Sequence, residues 1–167
     1  MDEILKNYSL LNQANVSRET FLDLEKFISM IIEKNKEINI ISEETAKKEI
    51  IRTRHIIDSS QAIDFVDLNT NTTTDLGSGG GFPGIVIAII LKNMKKKISV
   101  NLYEKSHHKS VFLREVSRKL NLDTEIIQKD IFGITELKTG TIMARAFKPL
   151  PVILELVCKN FNNYKNL

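Results

Sequence analysis

Asp75-Leu76-Gly77-Ser78-Gly79-Gly80-Gly81-Phe82-Pro83-Gly84 holds five of the chain's seven glycines within eight residues. Its two neighbours are patterned differently. Thr72–Leu76 is rich in β-branched threonine and reads as a strand. Residues 83–91 are an apolar run that opens on proline and read as a helix, with Pro83 in its first turn, where a missing N–H costs nothing. Glycines between a strand and a helix let the backbone turn sharply and let a ligand approach the main chain with no Cβ in the way. The helix start adds free N–H groups and the positive end of its dipole.

Downstream, strands and helices alternate. Strands are predicted over 98–103, Thr124–Ile127 and Thr141–Ala144, and helices over 106–120 and 149–159. The helix over 106–120 carries Val111, Phe112, Val116 and Leu120 as its apolar positions. This alternation predicts an α/β fold, a doubly wound Rossmann-like parallel sheet with helices on both faces. Upstream the period is helical. Phe21, Leu24, Phe27, Ile28, Ile31 and Ile32 recur at three- and four-residue spacing. A second helix is predicted from about Glu43 to Phe65, with Ser42 as N-cap and Ala46, Ile50, Ile51, Ile57 and Ile63 buried. The polar tract 68–71 reads as a linker, so the expected division is an N-terminal helical extension over 1–69 and the α/β core over 70–167.

With 167 residues, 42% hydrophobic and 27% charged, the chain has the composition of a soluble globular protein. The lone Cys158 excludes a disulfide scaffold and a zinc site of paired thiolates, and it is expected as a buried apolar filler. His107 and His108 are adjacent and fall on different helix faces, so no metal is expected. No apolar run reaches membrane-spanning length and the start lacks a signal-peptide pattern, so a cytoplasmic protein is expected. The net charge of +3 is unevenly spread. Residues 1–69 carry 9 basic and 13 acidic side chains; residues 70–167 carry 15 and 8. A polyanion such as RNA would meet the C-terminal two-thirds first.

Two ligand classes compete for the glycine loop. Gly79, Gly81 and Gly84 satisfy the G-x-G-x-x-G dinucleotide fingerprint, which would make the chain an NAD-dependent oxidoreductase. In that fingerprint the strand runs into the first glycine with no acid just ahead. Asp75, Gly77, Gly79 and Gly81 instead give the D-x-G-x-G-x-G pattern of S-adenosyl-L-methionine-dependent methyltransferases. Asp75 suits the ammonium of the methionine moiety, the loop amides suit its carboxylate, and a pyrophosphate would be repelled by the acid. Glu104, ending the second strand, can accept hydrogen bonds from both ribose hydroxyls. Asp130, following the third, is placed to accept one from an adenine amino group.

The loop through Ile85 resembles that of the bacterial small-subunit ribosomal RNA guanine-N7 methyltransferases, the glucose-inhibited division B family. Arg54-His55-Ile56-Ile57-Asp58-Ser59 looks like that family's R-H-I-x-D-S signature. Lys109-Ser110-Val111-Phe112-Leu113-Arg114 is similar to its basic helix ending F-L-R. Arg145-Ala146-Phe147 is similar to its S-R-A-F motif, with Ala144 in place of serine. The resemblance spans about 39–150. It implies a class I methyltransferase core and cofactor contacts from Gly77, Phe82, Ile131, Phe132 and Arg145, with Glu104 as the ribose-binding acid. The family usually has T-G-P-G-x-P-G where this chain has residues 78–84, one proline fewer. Members also continue into about three more strands past the last predicted helix, so those C-terminal strands are expected to be missing here.

The resemblance further implies methyl transfer to N7 of a guanine in small-subunit ribosomal RNA, or in an assembling small subunit; a monomer is expected. That nitrogen carries an in-plane lone pair and no proton, so no catalytic acid or base is expected, and catalysis would be positioning. Arg54, His55, Asp58, Lys109 and Arg114 are the candidate substrate contacts; His55 and Asp58 share a helix face at three-residue spacing. A non-catalytic RNA-binding remnant is the remaining alternative, and it would bind RNA without regard to cofactor.

Overall fold

The computed structural model describes residues 17–160. Helix α1 (Arg18–Asn35) is capped at its start by the Ser17 hydroxyl, which accepts from Thr20 N. Its apolar stripe, Phe21, Leu24, Phe27, Ile28 and Ile31, is fully buried. Asn35 ends the helix by turning its Oδ1 to the backbone N–H groups of Ile40 and Ile41, at 2.8 and 3.0 Å. Those two bonds hold the return loop that the helical period does not reach.

The helix expected from Glu43 begins later. Glu43–Thr45 is a single 3₁₀ turn, and the Ser42 hydroxyl pairs with the Thr45 hydroxyl instead of capping. Helix α2 (48–60) then comprises an α-turn Lys48–Ile50, a π-helical stretch Ile51–Ile57 and an α-turn Asp58–Ser60, continuing into the 3₁₀ turn Gln61–Phe65. The wider π turn shifts the phase of the stripe. Ile51 and Ile56 are fully buried, while Ile50, Ile57 and Ile63 are only half-buried. The π stretch also turns Arg52 inward, where its Nε and Nη2 donate to the two oxygens of Glu25 at 2.9 and 3.1 Å and tie α2 to α1.

The core elements match their predicted places within a residue or two. They are β1 (Thr72–Leu76), α3 (Gly84–Asn93), β2 (Ser99–Tyr103), α4 (His107–Leu120), β3 (Thr124–Ile127), β4 (Thr141–Ala144) and α5 (Leu150–Asn160). The four strands are parallel, in the order β3-β2-β1-β4. Thr74 lies beside Asn101 on one side and Ile142 on the other. The order reverses between β1 and β4, and ligands bind outside the carboxyl ends of the strands at such a switch point.

Apolar side chains cover both faces of the sheet. One face, with Val100, Leu102 and Met143, packs under α3 and α4, and α1 and α2 lie over α3 in the same cluster. The other face, with Leu76, Tyr103 and Ile142, packs against Ile131, Leu137 and the α5 residues Leu156 and Val157. Two side chains differ from expectation. Val111 is exposed, and Leu113 takes its place in the buried stripe of α4. Cys158 is exposed rather than a core filler, because its neighbours Leu156 and Val157 already occupy the inner face of α5. Among the described residues, no helix is long and apolar enough to cross a membrane, and no three potential metal ligands cluster.

Candidate active site

The carboxyl end of β1 runs directly into the glycine loop. Gly77, Gly79 and Gly81 have φ of 71°, 55° and 95°, so alternate residues sit in the left-handed region. That alternation folds the loop tightly: Ser78 N donates to Tyr103 O, and Gly81 N to Ser78 O, at 2.9 and 2.7 Å. At Gly77 an added Cβ would fall 2.1 Å from the Phe147 ring, so that aromatic lies directly on the loop backbone. Gly79 is the opposite case, with nothing nearer than 3.8 Å and open space above it.

Glu104 locks the loop to the next strand. Its Oε2 accepts from Gly79 N at 2.8 Å, and its Oε1 accepts from Ser106 N at 2.7 Å, at the start of α4. Each oxygen keeps a second lone pair for a hydroxyl donor. Asp75 is placed differently from expectation. It is fully buried beneath the loop and absent from the cavity wall. Its Oδ2 accepts from Gly84 N at 3.0 Å and anchors α3, while its Oδ1 is buried with no partner. Burial lifts its pKa to about 7, with nearby Glu104 adding to the rise and the Gly84 hydrogen bond opposing it.

A cavity of about 420 Å³ opens over these strand ends. Gly77, Gly79 and Phe82 line it from the loop, and Glu104 from the end of β2. Asp130, Ile131 and Phe132 enter after β3; Asp130 Oδ1 accepts from Phe132 N and holds that turn. Arg145 and Phe147 enter after β4, with Ala146 between them at φ 49°. The volume is that of a site for a small organic cofactor.

Arg145 joins the cavity to α2. Its Nε pairs with Asp58 at 3.1 Å, Nη1 donates to Ser59 Oγ at 3.2 Å, and Nη2 donates to Arg54 O and His55 Nδ1 at 2.9 and 3.0 Å. The guanidinium also lies 5.8 Å from the centre of the Phe82 ring, and His55 stacks on that ring at 4.9 Å. Arginine can only donate, so His55 Nδ1 accepts and the proton resides on Nε2. That Nε2 is buried, with no partner among the described residues. Burial first, and then Arg145, push the His55 pKa down, so the ring is neutral.

Of the candidate substrate contacts, His55 and Lys109 line the cavity. Arg54 contributes its carbonyl, and Asp58 acts through Arg145. Arg114 is not in the cavity; its Nη2 reaches Ile126 O at 3.5 Å. Sequence reasoning missed Tyr103, Lys105, Lys129 and Lys148 at the rim. Their signal is position, since each falls within four residues of a predicted strand's carboxyl end.

A parallel sheet with a glycine turn after β1, an acid after β2 and the cavity at the switch point defines a class I methyltransferase fold. Solved structures share it. A Plasmodium falciparum chain described as a protein-L-isoaspartate O-methyltransferase, bound to S-adenosyl-L-homocysteine, superposes with a TM-score of 0.53 at 14% identity, covering 93% of this chain and 80% of that one. Coclaurine N-methyltransferase, bound to N-methylheliamine and S-adenosyl-L-homocysteine, gives 0.53 at 16%, covering 95% and 53%.

A family model described as rRNA small subunit methyltransferase G (GidB) matches residues 21–165, and the chain belongs to this family. The ribosomal RNA small subunit methyltransferase G of Pelagibacter ubique (strain HTCC1062) is 64% identical over all of this chain and 78% of its own length. That of Cereibacter sphaeroides (strain ATCC 17029) is 36% identical over 89% of this chain and 71% of its own.

Proposed function

We propose that the chain transfers a methyl group from S-adenosyl-L-methionine to N7 of a guanine in small-subunit ribosomal RNA. The observation that carries the reading is the Glu104 carboxylate, clamped between the Gly79 and Ser106 amides at the wall of a cofactor-sized cavity, in a chain of this family. The residues fit that cofactor. Glu104 has free lone pairs for a ribose diol, and the open space over Gly79 lets a ligand approach the loop backbone closely. Ile131 and Phe132 supply apolar surface for an adenine ring, and Asp130 an acceptor beside it. Asp75 keeps the α3 start in place from below and leaves its second oxygen as a buried acceptor.

The cofactor supplies an electrophilic methyl on a sulfonium. A guanine N7 lone pair would take that methyl as the C–S bond breaks, the electron pair would stay with sulfur, and the positive charge would pass to the base. No proton moves, so the protein's part is alignment and exclusion of water. Phe82 and Phe147 enclose the loop, and Arg145, held by four contacts to α2, fixes the wall between them. In A-form RNA, N7 lies in a groove too deep and narrow for side chains, so the target guanine must be unpaired or flipped out.

Calorimetric titration with S-adenosylmethionine, with NAD as control, is the first test. Saturable binding of the former alone is expected; binding of NAD alone overturns the reading. Transfer of labelled methyl to unmodified small subunits and to naked ribosomal RNA, followed by mapping of the modified nucleotide, then tests the acceptor. Methyl on any atom but guanine N7 refutes that assignment.

A further inference from the structure

Many lysines in this chain are neutralised by a nearby acid. Lys34 pairs with Glu37, Lys36 with Glu33, Lys92 with Asp23 and Lys119 with Glu115. The lysines around the cavity mouth are different. Lys105, Lys109, Lys129 and Lys148 all line it. Among the described residues, no carboxylate lies within ion-pair distance of any of the four. The acids beside them are engaged with the backbone: both Glu104 oxygens hold N–H groups, and Asp130 Oδ1 holds Phe132 N. Among the described residues Lys47, Lys95, Lys96 and Lys97 also lack an ion-pair partner, but Lys47 precedes α2 and the other three sit in the α3–β2 connection at the opposite end of the sheet.

Helix electrostatics sharpens the contrast. The positive end of a helix dipole favours anions in the first turn. The first turn of α4 has no acid; it carries His107, His108 and Lys109, just after Lys105. Positive charge is therefore held where the fold alone would disfavour it. Lys105 follows β2, Lys109 lies in the first turn of α4, and Lys129 and Lys148 follow β3 and β4, so they flank the mouth from separate elements. A polyanion laid across the opening meets all of them.

We infer that Lys105, Lys109, Lys129 and Lys148 form a phosphate clamp that holds the RNA backbone on both sides of the nucleotide presented to the cavity. The inference rests on the RNA methyltransferase reading above. Presenting a base out of its stack requires the flanking chain to be gripped, and phosphate contacts grip without reading sequence. The clamp therefore sets affinity and its salt dependence, and leaves the choice of base to the cavity. Lys148, whose ammonium lies 5.9 Å from the centre of the exposed Phe132 ring, brings one grip next to an aromatic surface.

The test is equilibrium binding of protein-free small-subunit ribosomal RNA across salt, from about 50 to 200 mM. It compares the full chain with each single lysine-to-alanine variant and with K105A/K109A/K129A/K148A. K95A/K96A is the control. Each clamp lysine removed is expected to flatten the slope of log K against log salt by about 0.7, the increment for a single-stranded contact, while the control keeps the full slope. Cooperative thermal unfolding of each single variant, followed by circular dichroism, shows that it is folded and keeps the test valid if the quadruple variant fails to fold. If the clamp variants keep the slope while the wild type binds RNA and transfers methyl, the clamp is wrong and the methyltransferase reading stands. The same holds if K95A/K96A flattens the slope as much. A wild type that neither binds RNA nor transfers methyl overturns both.

Discussion

The two faces of the sheet are built to different depths. One face is covered by α3 and α4, which bury Ile85 and Phe112, and α1 and α2 close over α3 as a further layer that buries Phe21, Phe27 and Ile28; all five side chains are at 2% exposure or less. The opposite face has a small cluster around Leu76, Ile142, Leu156 and Val157, and its helix α5 leaves Leu150, Val152 and Leu154 at 65%, 36% and 38% exposure. The cavity straddles this divide. Its glycine loop rests on the deep side, with the Phe82 ring 5.4 Å from that of Phe27 and the Cζ of Phe27 close beneath Gly81. The walls formed by Phe132 and Phe147 belong to the shallow side. The rigid half thus holds the part that must keep a fixed backbone, and the thinner half holds the part a ligand must pass.

The most direct way to break this contrast is a pair of truncations. Phe27→Ala on the deep face is expected to remove about 3–5 kcal/mol of stability, and Leu156→Ala on the shallow face about 2–3 kcal/mol. Equal losses in denaturant titrations would mean the two faces are mechanically alike. A comparable effect concerns the charge buried at the boundary. The folded-state pKa of Asp75, about 7, lies above its unfolded value of 3.8, so the folded protein holds the extra proton between those limits. Its contribution is fully present below about pH 4 and is lost as pH rises through 7, on the order of 4 kcal/mol in all. Asp75→Asn, which still accepts from Gly84 N, should remove that slope. A wild type and variant whose stabilities run parallel from pH 4 to 8 would contradict it. The smallest effect on stability sits where the two sides meet at Gly77. Gly77→Ala places a Cβ on Phe147 and forces a side chain into φ 71°. Cofactor affinity should fall at least about tenfold, while Tm drops by only a few degrees. An unchanged calorimetric affinity would show that Phe147 yields freely.

What the sequence made legible follows from how local the cause is. Strand β1, the glycine loop and the α3 start were readable because proline, glycine and threonine constrain the backbone within a few residues. Glu104 was readable for the same reason, as the residue that ends a strand. Asp75 is legible as an acid at a strand tip, but a string cannot say whether such an acid turns up into the cavity or down under it. Here Gly84 N captures it from below. Helix α2 was misplaced at its start and in its phase, since a π stretch is stabilised by tertiary partners such as Glu25, distant in sequence. Arg145 was assigned to the cofactor through family resemblance; that it spends its donors on Arg54, His55, Asp58 and Ser59 depends on contacts across roughly ninety positions. Lys109 is legible from the motif it opens, and Lys105, Lys129 and Lys148 from their places just past strand ends; that all four line one cavity is visible only in three dimensions.

The glycines of the loop carry a genetic consequence. Every single-base change at the first or second position of a glycine codon that does not create a stop introduces a residue with a Cβ. At Gly77 that atom meets an aromatic ring, and at Gly84 it would fall 2.6 Å from Asp75 Oδ2. Codon degeneracy thus offers this loop no gentle missense neighbours. Spontaneous loss-of-function alleles should gather in a stretch of some thirty nucleotides far more densely than in the helices, where Ile, Val and Leu are one base apart and interchange within the same packing.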